Sequence, residues 1–420
     1  MDLSVLKQLN YKKIMLIILF GVLCIGLAVG IYWLFFRPLF VGPEDEVKYE
    51  GPGAYLPGVG LVDEVPGEGL PEIEEVTPEE VIGVPTEVAA GGDTLVLPMH
   101  EDVVAHVTLS GSGQGVNFYN PIDNKFYTLP ENGTAPIALS NQEFYEVEKV
   151  YWNNDKTQAI ITYPDKSKIL YDFNLDAQAT MDKSVVDPDF SNSDAIAFKY
   201  ISTESAENNW LAVISPDGSQ MQLVEHLGSN YDDVQVAWSP NNSVVALYAE
   251  IIGIDRTEIF LLGLAGENFK SFVVDGTHFK GMWSPSGTRM LYSVVSAANA
   301  YNPSLWIVDV EEDRIGSHKF SLGLFTWVER CTFADDLTVY CAVPRELARG
   351  AGLYPDELAT ETHDLIYKVD LTTGTRELIG NPVIGDINNF SITSVHISKD
   401  GQYLFFWDAI TEKIYKMRLK

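Results

Sequence analysis

A short turn recurs six times along the chain, and its period fixes what the chain can fold into. Its copies are Trp152-Asn153-Asn154-Asp155, Phe190-Ser191-Asn192-Ser193-Asp194, Trp238-Ser239-Pro240-Asn241-Asn242, Trp283-Ser284-Pro285-Ser286-Gly287, Phe333-Ala334-Asp335-Asp336 and Ile397-Ser398-Lys399-Asp400-Gly401. Each opens on an apolar side chain. Each continues with residues that hydrogen-bond their own backbone or take unusual dihedrals, which is turn chemistry. A run rich in Val, Ile, Tyr and Phe follows each turn, at 158–163, 195–200, 244–249, 289–294, 337–343 and 402–407. A second such run follows at 169–175, 210–215, 258–264, 305–310, 365–371 and 413–419. Both sets have strand length and strand composition.

The turns are spaced by 38, 48, 45, 50 and 64 residues. Four antiparallel strands every ~40–50 residues are the mark of a propeller blade. Six turns give six units, and a degenerate seventh is read at about 100–140, with runs at 103–110, 116–119 and 125–129. The last unit has no fourth strand of its own. Thr94-Leu95-Val96-Leu97-Pro98 is placed to supply it and so remove an open sheet edge. The expected fold is therefore an all-β, seven-bladed β-propeller over 93–420, with six or eight blades as the alternatives.

The Trp-Ser-Pro turns at Trp238-Ser239-Pro240 and Trp283-Ser284-Pro285-Ser286-Gly287 resemble the WD40-like repeats of the TolB family of bacterial envelope propellers. The likeness covers about 150–420. Asp-Gly, usual in that family, is absent from both turns and kept at Asp400-Gly401. The resemblance implies an envelope propeller used for binding. It identifies a fold more than an activity.

The N-terminal part reads differently. Residues 14–36 carry no charge and are long enough to span a bilayer as a helix. Lys7, Lys12 and Lys13 precede this segment, which predicts a cytoplasmic tail at 1–13 and everything beyond Arg37 outside the cytoplasm. A cleaved signal peptide competes, but the apolar run continues past Ala28-Val29-Gly30 through Tyr32 and Trp33. Residues 37–92 are rich in Pro, Gly and acids, a composition that cannot bury enough apolar surface to offset chain entropy. They read as a flexible linker, its ends on the order of 40 Å apart. The expected localisation is a single-pass cell-membrane protein with an extracytoplasmic propeller. A formal net charge of −31 argues against nucleic acid as a partner.

Alternation of strand direction sorts the loops by face. The long loops at 202–209, 251–257, 295–304 and 344–364 share one rim with the connections between units. Loops on a rigid scaffold are where binding surfaces sit. Candidate binding residues on that rim are Tyr231, Asp232, Asp233, His278, Trp327, Arg345, Arg349 and Tyr354. Asp232-Asp233 offers oxygens to a cation, but two adjacent acids also suit a solvated surface. The seven His and three Cys show no metal-ligand spacing, and neither a nucleophile elbow nor a phosphate loop is present. No catalytic residue, metal or cofactor is assigned. Cys331 and Cys341 flank one turn and are opposed if it centres on Asp336, so a disulfide and two buried thiols are both open. The functional expectation is a binding scaffold for an envelope protein or glycan. The alternative is a propeller enzyme, lyase or hydrolase, working in the central channel.

Overall fold

The apolar runs of the repeat become the middle strands of antiparallel sheets, because they are apolar at consecutive positions rather than only at alternate ones. Such strands must be covered on both faces. Gly115–Asn120 is buried along its whole length, and Arg289–Val295 is buried at all but its first residue. The computed structural model describes Phe20 and residues 84–133, 135–216, 218–354 and 362–420.

Five sheets have four strands each, hydrogen-bonded in chain order, over 105–138, 149–181, 185–226, 234–274 and 277–321. Their first strands lie near one another, as Val185–Phe190 does to Lys149–Trp152 and to Val234–Val236. These first strands therefore line the centre of a propeller, and the sheets radiate from them. The remaining strands form one eight-stranded sheet. It runs Cys331–Asp335, Thr338–Pro344, Asp364–Asp370, Thr375–Val383, Asp93–Pro98, Lys413–Arg418, Tyr403–Asp408, Ile392–Ile397. Its two outer strands come back against each other, so the sheet is almost closed.

This corrects the expectation of seven separate blades: the propeller has five blades plus one eight-stranded sheet. The cause is the strand Asp93–Pro98. It pairs antiparallel with the C-terminal strand, Val96 opposite Met417, as the sequence suggested. Its first half also pairs parallel with Thr375–Val383, Asp93 opposite Asn381 and Leu95 opposite Val383. Both edges of this one strand are used, and a residue pattern does not display a second edge partner. Asn381 Nδ2 reinforces the junction by donating to Asp93 Oδ1 at 2.7 Å.

Residues 84–92, read as the end of the linker, belong to this junction. The Ala89 N–H donates to the Arg418 carbonyl at 2.9 Å and the Gly91 N–H to the Ile379 carbonyl at 2.8 Å. Among the described residues no helix is long and apolar enough to cross a membrane. The segment 14–36, apart from Phe20, and the linker up to residue 83 lie outside the described residues. The expected single-pass membrane topology, with its extracytoplasmic localisation, is corrected accordingly and has no part in the functional reading.

The recurrent turns tie neighbouring sheets together on the face opposite the long loops. Asn154 Nδ2 donates to Asn192 Oδ1 at 2.7 Å, and Asn192 Nδ2 to the Pro240 carbonyl at 2.5 Å. The Ser286 N–H donates to Asp336 Oδ1 at 2.8 Å, and the Lys399 N–H to the Gly113 carbonyl at 2.8 Å. Cys331 and Cys341 are opposed across their hairpin and joined by a disulfide.

Val96 is 1% exposed on the closing strand and packs with Phe406 and Met417. Val96→Asp buries a carboxylate there and is expected to destabilise the fold by about 3 kcal/mol or more, read from the urea midpoint. An unchanged midpoint would show that this strand lies outside the cooperative unit.

Candidate functional site

Polar side chains reach the centre where the innermost strands lose regular pairing. The first strands of four units carry a register irregularity, between Ala105 and Thr108, Val186 and Asp189, Thr277 and Lys280, and Ile392 and Ser394. Such bulges bend a strand and re-aim its side chains. Three of the extra residues are His106, Asp187 and His278, with φ of 53°, 47° and 53°. Left-handed backbone at a residue with a Cβ costs on the order of 1–3 kcal/mol and is found at functional sites.

Asp187 is the hub of the resulting charge cluster. Its Oδ2 lies 2.7 Å from the ammonium of Lys199, whose side chain is only 6% exposed. That ammonium also donates to the carbonyls of Tyr231 and Val234, at 3.2 Å each. Lys199 thereby fixes the short 3₁₀ turn Gly228–Asp233 that carries Asp232 and Asp233. Burial pushes the Asp187 carboxyl up, but the Lys199 hydrogen bond and the charges of Lys199, Lys149 and Lys280 override it. The carboxyl is held below its ordinary value.

These strands and turns surround a funnel of about 930 Å³ at the long-loop end of the centre. Its charged lining is Lys149, Asp232, Asp233, His278, Lys280 and Glu329, contributed by separate sheets and their connections. The ammonium of Lys149 lies 4.9 Å from the Tyr151 ring centre. The His278 ring is exposed, and its Nδ1 lies 3.1 Å from the Thr277 hydroxyl. Trp327 forms a buried part of the wall. It is held by Arg330, whose guanidinium lies 4.9 Å from the Trp327 ring. Arg330 in turn donates to Asp364 Oδ2 at 2.9 Å, and both side chains are fully buried. Asp364 Oδ2 also accepts from the Ile392 N–H at 2.6 Å, so the pair spans two runs of the eight-stranded sheet.

Of the eight residues chosen from sequence, Asp232, Asp233, His278, Trp327 and Tyr354 line the funnel. Tyr231 stands beside it and offers its carbonyl to Lys199. Arg345 and Arg349 are exposed on the following loop and are not part of the lining. Lys149, Asp187, Lys199 and Lys280 were not singled out. The signal available for Lys149, Asp187 and Lys280 was a charged residue in an innermost strand, as in Val185-Val186-Asp187-Pro188 and Thr277-His278-Phe279-Lys280, and for Lys199 a charged residue within the apolar second strand Ile196–Tyr200.

No family model matches the chain, and no curated protein matches it. Among solved structures the fold is similar to an oligogalacturonate lyase from Vibrio parahaemolyticus, at 10% identity over 77% of this chain and 91% of that one, TM-score 0.50. Another is an oligogalacturonate lyase in complex with manganese, at 11% identity over 77% and 93%, TM-score 0.48. A third is the β-propeller domain of Cps50 (Swd1) from Myceliophteria thermophila, at 9% identity over 77% and 100%, TM-score 0.48. At such identities the likeness speaks to fold alone: the chain is a β-propeller. Among the described residues no three His, Cys, Asp or Glu side chains are grouped to hold a metal ion.

These findings correct the expectation of an envelope-bound scaffold without catalytic residues. The membrane helix behind that expectation, and the envelope protein or glycan partner that followed from it, have no support among the described residues. The funnel gathers acid, base and cationic groups at the centre of the propeller.

Asp187→Asn tests the charge hub. A carboxyl depressed in the folded state stabilises at pH values above its unfolded pKa of about 4, and that contribution is lost as pH falls through the folded value. The variant is expected to melt below the wild type at pH 7, with the gap closing below about pH 4. A gap that stayed constant from pH 7 to pH 3 would mean the ion pair with Lys199 contributes nothing.

Proposed function

We propose that this chain is a propeller enzyme of the lyase type, acting on an anionic sugar in the funnel at the mouth of its central channel. One observation carries the reading. Two lysines, an imidazole and adjacent carboxylates converge from separate sheets on a single cavity, and the strand that carries the imidazole is bulged at that left-handed histidine. The oligogalacturonate lyase of similar fold from Vibrio parahaemolyticus is the source of the reaction class. The Trp-Ser-Pro turns keep a TolB-like kinship within the proposal, without adding a reaction to it.

The chemistry needs a hydrogen made acidic by a neighbouring carboxylate, and a base to take it. Lys149 and Lys280 supply positive charge for a substrate carboxylate, and pairing with it stabilises the carbanion-like transition state. His278 is exposed to the funnel and takes the proton from the carbon beside that carboxylate. The C–H electrons form a carbon–carbon double bond, the adjacent C–O bond breaks, and the imidazolium returns the proton to the departing oxygen. Asp232 and Asp233 accept hydrogen bonds from sugar hydroxyls and set the ring against the base. Asp187 and Lys199 hold the wall that carries them.

The test is incubation of the purified chain with oligosaccharides of uronic acids, read by the ultraviolet absorbance of the unsaturated product. His278→Ala is expected to lower kcat by roughly 10²–10⁴-fold, the usual contribution of general acid–base catalysis. Lys280→Ala is expected to raise KM about tenfold, the value of roughly one surface-accessible ion pair to a bound anion. Turnover that survives His278→Ala unchanged would remove the imidazole from the reaction.

A further inference from the structure

The funnel has an apolar rim on one side, and the backbone beneath that rim is strained. Ala300 and Tyr301 are consecutive residues at φ 54° and 58°, a left-handed pair without glycine. Side chains beyond Gly adopt this conformation singly and at a cost. The next long loop holds the pair in place. The Gly350 N–H donates to the Ala300 carbonyl at 2.9 Å and the Gly352 N–H to the Tyr301 carbonyl at 3.0 Å. Gly352 has no room for a Cβ, which would lie 2.7 Å from the Pro303 nitrogen and 2.8 Å from Val295 Cγ2. On the other flank the Ala297 N–H donates to Asp255 Oδ2 at 3.2 Å, which fastens the tip of the hairpin Ala246–Gly253 and Arg256–Leu262. Three loops are thus locked into one piece.

What that piece presents is apolar. Ile251, Leu353 and Tyr354 line the funnel and are 62%, 45% and 63% exposed. Ile254 at the hairpin tip is 93% exposed. Single exposed apolar residues need no explanation, but a group of them on the wall of a cavity marks a binding surface. The same cavity is lined by Lys149, Lys280 and the Asp232-Asp233 pair. One cavity therefore offers both charge and hydrocarbon, and a strained pair of residues underlies the hydrocarbon.

We infer that the rim is a subsite for a hydrophobic substituent, so that the substrate is amphiphilic: an anionic sugar bearing an alkyl or aryl group. This rests on the lyase reading and names its substrate class. A bare oligosaccharide acid satisfies the charged wall and leaves the rim wet. A uronate glycoside with a hydrocarbon aglycone satisfies both. Binding energy gained at the rim, away from the reacting carbon, serves to hold the sugar in register with His278.

The test uses the methyl and hexyl glycosides of one disaccharide of uronic acids, whose internal glycosidic oxygen is the leaving group, titrated calorimetrically into the full chain. Three proteins are compared: wild type, the Ile251→Thr/Leu353→Ser double variant, and Lys280→Ala. Both substituted rim positions are exposed, and an unchanged melting temperature verifies that the double variant is folded. The wild type is expected to prefer the hexyl glycoside by about tenfold or more, since even a partly buried chain of a few methylenes is worth that ratio. The double variant is expected to lose the preference while binding the methyl glycoside as before. Lys280→Ala is expected to weaken both ligands alike and keep the preference. Equal affinity for the two glycosides in the wild type overturns the subsite and leaves the lyase reading standing. A hexyl preference without turnover of either glycoside supports the subsite and overturns the lyase reading. Binding of neither glycoside overturns both. Equal affinity combined with a wild type that sediments as a dimer and a monomeric double variant would assign the rim to a second copy of the chain, and would overturn the proposal as well.

Discussion

Among the described residues the middle strands of the sheets are buried on both faces, and that constraint governs the rest of the structure. A sheet with one apolar face can pack on a single partner and show its other face to water. A sheet with two must stand between neighbours. The cores show this directly, because they are shared across sheets: Met290 and Tyr292 of one unit pack with Leu247 and Ile259 of the unit before it. The radial arrangement follows, because only a ring gives each member two neighbours. The last gap is closed by the strand Asp93–Pro98, which bonds along both edges and fuses two runs into one sheet.

The same constraint explains where chemistry can enter. Side chains on the faces of the sheets are committed to packing, and the outermost strands look to solvent. Only the innermost strands border an enclosed space, and a regular innermost strand would turn its side chains into the neighbouring sheets. The bulges at Asp187 and His278 break that rule locally and deliver polar groups to the centre. The conformational cost is borne by a well-packed framework, which is how strained residues persist. Lys199 shows how far the site depends on its surroundings: a buried ammonium neutralised by Asp187 and bonded to two carbonyls braces the turn on which two further acids sit.

The strands and their order were legible because the turns repeat and the runs between them have strand composition. The ring-closing partner of Lys413–Arg418 was legible from the missing fourth strand. The fusion of two runs was not, since a parallel bridge of three residues leaves no pattern in the sequence. Asp232, Asp233, His278, Trp327 and Tyr354 could be placed on the funnel side because alternation of strand direction sorts loops without knowledge of packing. Lys149, Asp187 and Lys280 could not be placed, because they lie within strands, and one inserted residue decides whether such a side chain meets a neighbouring sheet or the central space. Arg345 and Arg349 are exposed on the long loop but outside the funnel lining, because loop length is a guide to the rim and does not say which residues of the loop turn inward.

The closing strand has a consequence for the birth of the molecule. Val96 meets Met417, so a segment that leaves the ribosome early waits for a partner about 320 residues away. At the usual pace of synthesis that wait is roughly 15–60 s. During that time the five four-stranded sheets can stack in order of appearance, each covering the exposed flank of its predecessor, while an open seam remains between the earliest and latest. Until Thr375–Val383 is made, Asp93–Pro98 is an unpaired ribbon with two free edges, and one edge stays free until the final strand appears, the kind of element that chaperones shield and that mispairs between chains when translation is crowded.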